Sequence, residues 1–565
     1  MRHLTTAFTS VNPAIPDCGL MQSMITRTSP LLLHNLVYAA LNSRELIGDS
    51  VEDEFIIQAI YHSHPDATRS SLRSWSAKWK SAPVNLVETE TTELAELPSL
   101  HYNSGTIEGT RNVHRHIMRL IGVNDEKDLD FFQSRLVLFY GDQKTVALTR
   151  AARVEMADSL SAFERRDWLL PIPALFHVQM NYIQGVMIQT HWSPQRPRKK
   201  EDQFKHSAHS ILADMQFLRY KGISEDRPPF HLLDALLLES FYGRLLALFY
   251  KALKARQLFN DRCERPRESV DTLITQLTET QFRAIIQEIK EAVFSAEAWT
   301  GENSQSNTFT TMCRFVQQLK IYFILRNATR TGDIGMLRRL LPTLAFMFYG
   351  TGRTNYGLEM LYFNWLLQDT VSSSALQQAI LTGSLANLKG QPNTFLPVDR
   401  VREHLNCVLK RDMNSKNSTH DWKTTFQSHP LRASSLARLK KNLERETNLN
   451  FSGKHTNKDS SFDVHSLAIK LLHDGDVDQS TYKSQTSEFL SENIILSALD
   501  KIRGKVSDFN QLYVDSNTGA TLGQDLHDDD EEDENQVEMA GFTLADSLAE
   551  LGDTAGFLTE YGDVE

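Results

Sequence analysis

The sequence predicts a mostly α protein with a small mixed β-sheet core, of α+β or α/β class. Three observations lead there. Apolar residues recur at three-to-four spacing from Arg150 to Tyr349, the signature of packed helices. The run Arg135–Tyr140, RLVLFY, is β-branched and aromatic and stops at Gly141, which reads as a buried strand. A Pro-marked loop at 387–397 then feeds a helix, 398–410, whose polar residues Asp399, Glu403, Asn406 and Lys410 fall on one stripe, while Val398, Val401, Leu405 and Val408 form an apolar side.

Taken in order, residues 1–83 form an N-terminal helical segment, with Leu31–Leu41 and Val51–His64 as short buried helices. Residues 84–150 hold the strands: VNLVETETTEL alternates and is Thr-rich, Asn103-Ser104-Gly105 turns the chain, Arg111–Val123 is helical, and Arg135–Tyr140 delivers Asp142 at its C-terminal end. Residues 151–350 are helical, with helices expected over 206–220, 232–255, 269–294, 308–324 and 334–349. Residues 351–415 complete the core with the Asp399/Glu403 helix. A polar linker, 416–463, leads to a short helical segment, 464–510, with helices expected at Val464–Leu472 and Ser487–Arg503. The acidic tail, 511–565, has the composition of a disordered segment.

The 565 residues and 41% hydrophobic content suffice for a sizeable core. Four scattered cysteines signal neither a disulfide framework nor a Cys-based zinc site. No apolar run has the length of a membrane span, and the N-terminus lacks the apolar centre of a signal peptide, so nucleus or cytoplasm is expected. Fifteen acidic residues and no Lys or Arg lie between Asp525 and Glu565, so that tail of −15 leaves a body of +4 within the net −11. A body so mildly basic can meet nucleic acid without that charge alone arguing for it.

Asp399 and Glu403, one turn apart, can share a divalent cation or cationic partners; the competing reading is a solvated face complementing the helix dipole. Asp142, at a strand end, stands where open α/β sheets place ligand-binding groups. His177 is a ligand or proton-transfer group, or a hydrogen-bonded core histidine. Glu359 has an ordinary role near a helix start. The loop residues Arg196, Arg198, Lys199 and Lys200 can contact phosphates, or simply be solvated, and Leu436–Arg445, LARLKKNLER, is a basic amphipathic segment. Walker, H-E-x-x-H, G-x-S-x-G, kinase and zinc-finger patterns are lacking.

Three separated segments carry a resemblance: LVLFYGDQK (136–144), FERRDWLLPIPALFHVQM (163–180), and RTNYGLE (353–359) joined to Gly390, Pro392-Asn393, Asp399, Glu403-His404 and Asn406. Weaker similarity runs through ELPSLHYNSGTIEG (96–109). Together they resemble a mostly fungal, mobile-element-linked family, the domain of unknown function DUF6589, over about residues 90 to 415. The order of strand-end acid, long helical stretch and acidic helix is also that of integrase-like transposases, whose RNase H-like core carries a helical insertion. By that likeness Asp142 is the second carboxylate and Glu403 the third, with Asp399 a substitute or supporting ligand, and Gln143, His177, Asn406 and Lys410 assist. Mg²⁺ or Mn²⁺ is the implied cofactor and DNA the implied partner. Members similar to this chain carry an aromatic-Asp-Asn segment just upstream of a stretch like Arg2–Ala7, so a chain beginning at Met1 is expected to lack the first carboxylate and be inactive. The alternative is a non-catalytic, DNA-associated or scaffold protein retaining the fold. The acidic tail, carrying Phe542, Leu544, Leu548, Leu551, Phe557 and Leu558, is expected to present a short amphipathic face to a protein partner.

Overall fold

The computed structural model describes residues 8–11, 20–25, 29–65, 80–98, 100, 102–123, 128–192, 210–223, 229–301, 306–403, 459–478, 491 and 493–511. Its principal elements are β1 (Phe8–Val11), α1 (Leu33–Leu41), α2 (Ser50–Ser63), β2 (Glu93–Glu96), α3 (Ile107–Leu120), β3 (Val137–Gly141), α4 (Gln143–Glu155), α5 (Ala162–Arg165), β4 (Leu169–Pro173) and α6 (Leu175–Asn181). There follow α7 (Phe230–Ala255), α8 (Pro266–Gln276), α9 (Glu279–Phe294), α10 (Asn307–Thr331), α11 (Ile334–Gly350), α12 (Thr354–Leu366), α13 (Ser374–Gly383), β5 (Leu385–Ala386), β6 (Leu396–Pro397), α14 (Ser461–His473) and α15 (Ile494–Asn510). Among the described residues every sheet has two strands: β1 with β2 antiparallel, β3 with β4 parallel, β5 with β6 antiparallel. The protein is therefore mostly α with small sheets, as the periodicity implies. No helix of the described residues is long and apolar enough to cross a membrane.

Helices α7, α10 and α11 are buried along most of their length and make the centre of one large core, in which Leu245, Phe249, Leu319, Phe323, Leu344 and Phe348 are fully enclosed. That is the arrangement expected of helices apolar on more than one face. Later helices return to this core. Helix α14 lies on α7, where Gly243 leaves room for Leu467, and α15 lies on α11, where a Cβ at Gly350 would stand 2.3 Å from the Ile494 carbonyl oxygen. Helix α3 begins at Thr106, whose side chain accepts from Gly109 N, in a turn so tight that a Cβ at Gly109 would meet the Asn103 carbonyl oxygen at 1.7 Å.

Several boundaries differ from those the pattern suggests. The stretch 269–294 is two helices, divided where Thr278 and Gln281 form a capping box: Gln281 N donates to Thr278 Oγ1 and Thr278 N to Gln281 Oε1. Helix α10 runs beyond Ile324 to Thr331 and stops at Gly332, whose φ of 76° is the left-handed stop that glycine supplies. Of the alternating run 84–94 only the end enters a strand, because Val84 N and Asn85 N bond instead to the Asp333 carboxylate at 2.9 and 3.0 Å. The helix expected from Ser487 starts at Ile494, where Asn493 accepts from Leu496 N, and extends to Asn510.

Candidate functional site

Strands β3 and β4 with the crossover α4 make one βαβ unit, in register from Val137 with Leu169 to Gly141 with Pro173. Both strands point their C-terminal ends the same way, and in such units ligands gather at those ends. Asp142 leaves β3 and caps α4: its Oδ1 accepts from Thr145 N at 2.7 Å, so its carboxylate sits at the positive end of that helix. The neighbouring Gln143 is buried. His177 leaves β4 in the first turn of α6 and is also buried.

Residues 398–403 are helical and bring the third component. Asp399 Oδ1 accepts from Phe176 N at 3.1 Å, Asp399 Oδ2 from His177 N at 3.0 Å, and the same oxygen lies 2.9 Å from His177 Nδ1. One carboxylate thus caps α6 from a distant segment and fixes the imidazole. Burial alone would lower the His177 pKa. The Asp399 hydrogen bond and charge, reinforced by Asp142 and Glu403, overcome it and bring the value up to about 9, so the ring is an imidazolium at neutral pH. Arg402 is brought down to about 10 by burial, with Glu403 and Asp142 resisting. The fields of Asp142 and Glu403 therefore act together on His177 and on Arg402. Asp399 and His177 are thus in direct contact at the centre of a cluster that the charges of Asp142, Glu403 and Arg402 join by their reach.

Among the described residues no group of three or more His, Cys, Asp or Glu is placed to hold a metal ion. Asp399 already accepts three hydrogen bonds, which suits support of His177 better than direct ligation. Asn406, Lys410, Arg196, Arg198, Lys199 and Lys200, as well as Leu436–Arg445 and the acidic tail, lie outside the described residues.

The elements around the cluster are joined by side chains whose partners the sequence did not disclose. Glu359, on α12, forms a buried two-pronged pair with Arg150 of α4, one bond at 2.8 Å, and Arg150 stacks over Tyr362. This pairing spans helices, so the dipole role expected from its place near a helix start misses the main partner. After α6 the helix widens into a π-helical turn, Tyr182–Ile188, where Arg353 lies against Gly185; a Cβ there would be 2.8 Å from Arg353 Cγ. Asn387 holds the 387–394 loop: its side chain takes Gly390 N and Thr394 Oγ1, while its backbone N donates to Thr92. Arg402 carried no signal in the sequence beyond lying between Val401 and Glu403.

A family model described as a family of unknown function, DUF6589, matches residues 49–455. The chain belongs to that family. No curated protein and no solved structure matches it.

Proposed function

We propose that this member of the DUF6589 family is a mobile-element-derived protein with a degenerate nuclease- or transposase-like core, acting in the nucleus on DNA. The observation that supports the reading is the Asp399–His177 contact just past the C-terminal end of β4, in a parallel strand pair, with the charges of Asp142 and Glu403 reaching the same imidazole. Acids gathered there need positive charge, and here His177 and Arg402 supply it. In intact relatives a divalent ion would do so, and a core analogous to the RNase H-like fold would hold it.

Mg²⁺ or Mn²⁺ binds through one or two carboxylates completed by water and substrate phosphates, so Asp142 and Glu403 are the residues suited to it in kind. When bound, such an ion activates the attacking oxygen and stabilises the leaving one. Asp399 orients His177 through Nδ1, which leaves Nε2 as the ring atom able to hold or give a proton. Gln143, Asn406 and Lys410 are assigned supporting roles, and Arg196, Arg198, Lys199 and Lys200 phosphate contacts.

The test is nicking of supercoiled plasmid by the full chain in Mg²⁺ or Mn²⁺. Little cleavage is expected; robust cleavage abolished by Asp142→Ala would overturn the degenerate reading. Mn²⁺ titration followed by electron paramagnetic resonance should reveal weak binding that Asp142→Asn and Glu403→Gln reduce. A second reading, a non-catalytic DNA-associated or scaffold protein, is favoured by the structural duties of Asp142, Glu359 and Asp399 as cap, ion-pair partner and brace. Mn²⁺ binding indifferent to both substitutions would select it.

A further inference from the structure

Helix α3 carries Arg111, Arg115 and Arg119 at every fourth position, a stripe that drifts only about 40° per step and runs about 12 Å along the axis. Beside it α5 ends in Arg165 and Arg166. Glu164 is the carboxylate these guanidinium groups share: Arg115 hydrogen-bonds it, Arg111 approaches to 3.5 Å and Arg166 to 3.6 Å. Glu155 lies 3.5 Å from Arg111, and Asp167 serves both Arg165 and Arg153. Across these contacts five arginines meet three carboxylates, in a chain that is acidic as a whole.

The guanidinium groups are also short of acceptors. Arg166 is fully buried, yet among the described residues its Nε and Nη2 meet no hydrogen-bond partner, and the same is true of Arg111 Nε. Arg111 and Arg115 keep 23% and 32% of their side chains accessible, so their outer edges reach solvent. His114 of the same helix turns inward, against Phe139 and Thr149, and leaves the outer face to the arginines. Glu155, beside Arg111, ends α4 at the opposite pole from Asp142, about 20 Å away along the helix, so this face is separate from the candidate site.

We propose that the arginine face of α3 binds the phosphate groups of a nucleic-acid strand. Planar guanidinium forks match phosphate oxygens in pairs, and the buried Arg166 adds fixed positive charge behind them. The length of the stripe suits successive phosphates of one strand, whereas a free anion would use a single fork. The inference deepens the nucleic-acid part of the proposed function and makes no use of catalysis.

The test is fluorescence anisotropy of labelled 20-nucleotide single strands and 20-base-pair duplexes with the full chain, in EDTA, across a salt series. The double variant Arg111→Gln/Arg115→Gln should bind roughly tenfold more weakly at low salt, and the slope of log affinity against log salt should fall by about two. A charge-matched control on exposed arginines elsewhere, Arg265→Gln/Arg283→Gln, should bind like the unaltered chain. Arg115→Lys keeps the charge and removes the fork; it should lose affinity by a smaller factor with an unchanged thermal midpoint, which separates binding from folding. Failure of the unaltered chain to bind, equal weakening by the control pair, or unaltered affinity in Arg111→Gln/Arg115→Gln would overturn the proposal. So would displacement of DNA by polyglutamate as effectively as by unlabelled DNA, or by sub-millimolar inorganic phosphate. Absence of plasmid cleavage, by contrast, bears only on the nuclease-like reading.

Discussion

Replacing Asp399 should destabilise the protein more than an ordinary surface acid would. In Asp399→Ala, Phe176 N and His177 N lose their acceptor at the start of α6, and the buried His177 imidazole loses its ion-pair partner. Breaking a buried pair by removing one member costs about 3 to 5 kcal/mol, mainly because the remaining charge is left uncompensated. His177 can relieve part of this by shedding its proton, which places the expected loss near the lower end, about 3 kcal/mol. Asp399→Asn keeps one acceptor oxygen and should lose about 1 to 3 kcal/mol. Urea unfolding followed by tryptophan fluorescence measures both, and a cycle with His177→Phe isolates the pair. The coupling energy should exceed about 1 kcal/mol, since groups in contact do not add. Additivity within about 0.5 kcal/mol, or a loss below about 1 kcal/mol for Asp399→Ala, would refute the brace.

Glu359→Ala should destabilise by about 3 to 5 kcal/mol, whereas Arg150→Met/Glu359→Leu together should recover most of that loss in the same urea assay, because the second change removes the stranded charge. Acid should weaken the fold through His114 and His191, which burial holds neutral with pKa values lowered to about 3. Since the unfolded chain takes up these protons first, their contribution is complete above pH 6.5 and shrinks by about 1.4 kcal/mol per histidine per pH unit below it, down to about pH 3. At pH 5 the pair should cost about 4 kcal/mol, and thermal melts of His114→Gln/His191→Gln should show a correspondingly flatter dependence between pH 6.5 and 5. Gly350→Ala should loosen α15 by about 1 to 3 kcal/mol, since its Cβ meets backbone that cannot swing aside; amide exchange in Ile494–Asn510 should accelerate while that in α7 stays slow.

What could be read from the sequence was local. The 3.6-residue periodicity locates α7, α10 and α11 because each buries a broad apolar surface, and RLVLFY locates β3 because a short β-branched run ended by glycine has few other uses. Strand β4 was hidden by its own composition. Pro171 and Pro173 lack the N–H that an interior strand needs, so LLPIP reads equally as a break; pairing on one side with β3 lets the prolines remain, and all five residues are buried. The division at Thr278 was encoded in Thr-x-x-Gln but obscured by apolar residues that keep helical spacing across it.

Long-range pairings had no local trace. Asp399 and His177 are 222 residues apart, and nothing in the spacing of either segment requires the other. Yet several of the segments that resemble the family meet: Gly141 and Asp142 end β3, His177 follows β4, and Asp399 closes on His177, while Arg353 and Glu359 reach just beyond those segments to Gly185 and Arg150. A residue that joins two distant segments has fewer permissible replacements than one packed among apolar neighbours, because both geometry and charge must be matched. Family resemblance gathered in short polar motifs is therefore what a charge-braced βαβ unit would produce whether or not it still performs chemistry. The two readings separate only through groups whose removal costs function without costing stability. Glu403 meets that criterion better than Asp399, whose oxygens hold α6 in place. Glu403→Gln should leave the urea midpoint near that of the unaltered chain, within about 1 kcal/mol, while lowering Mn²⁺ affinity. A large stability loss without any change in Mn²⁺ binding would assign Glu403, too, to the framework.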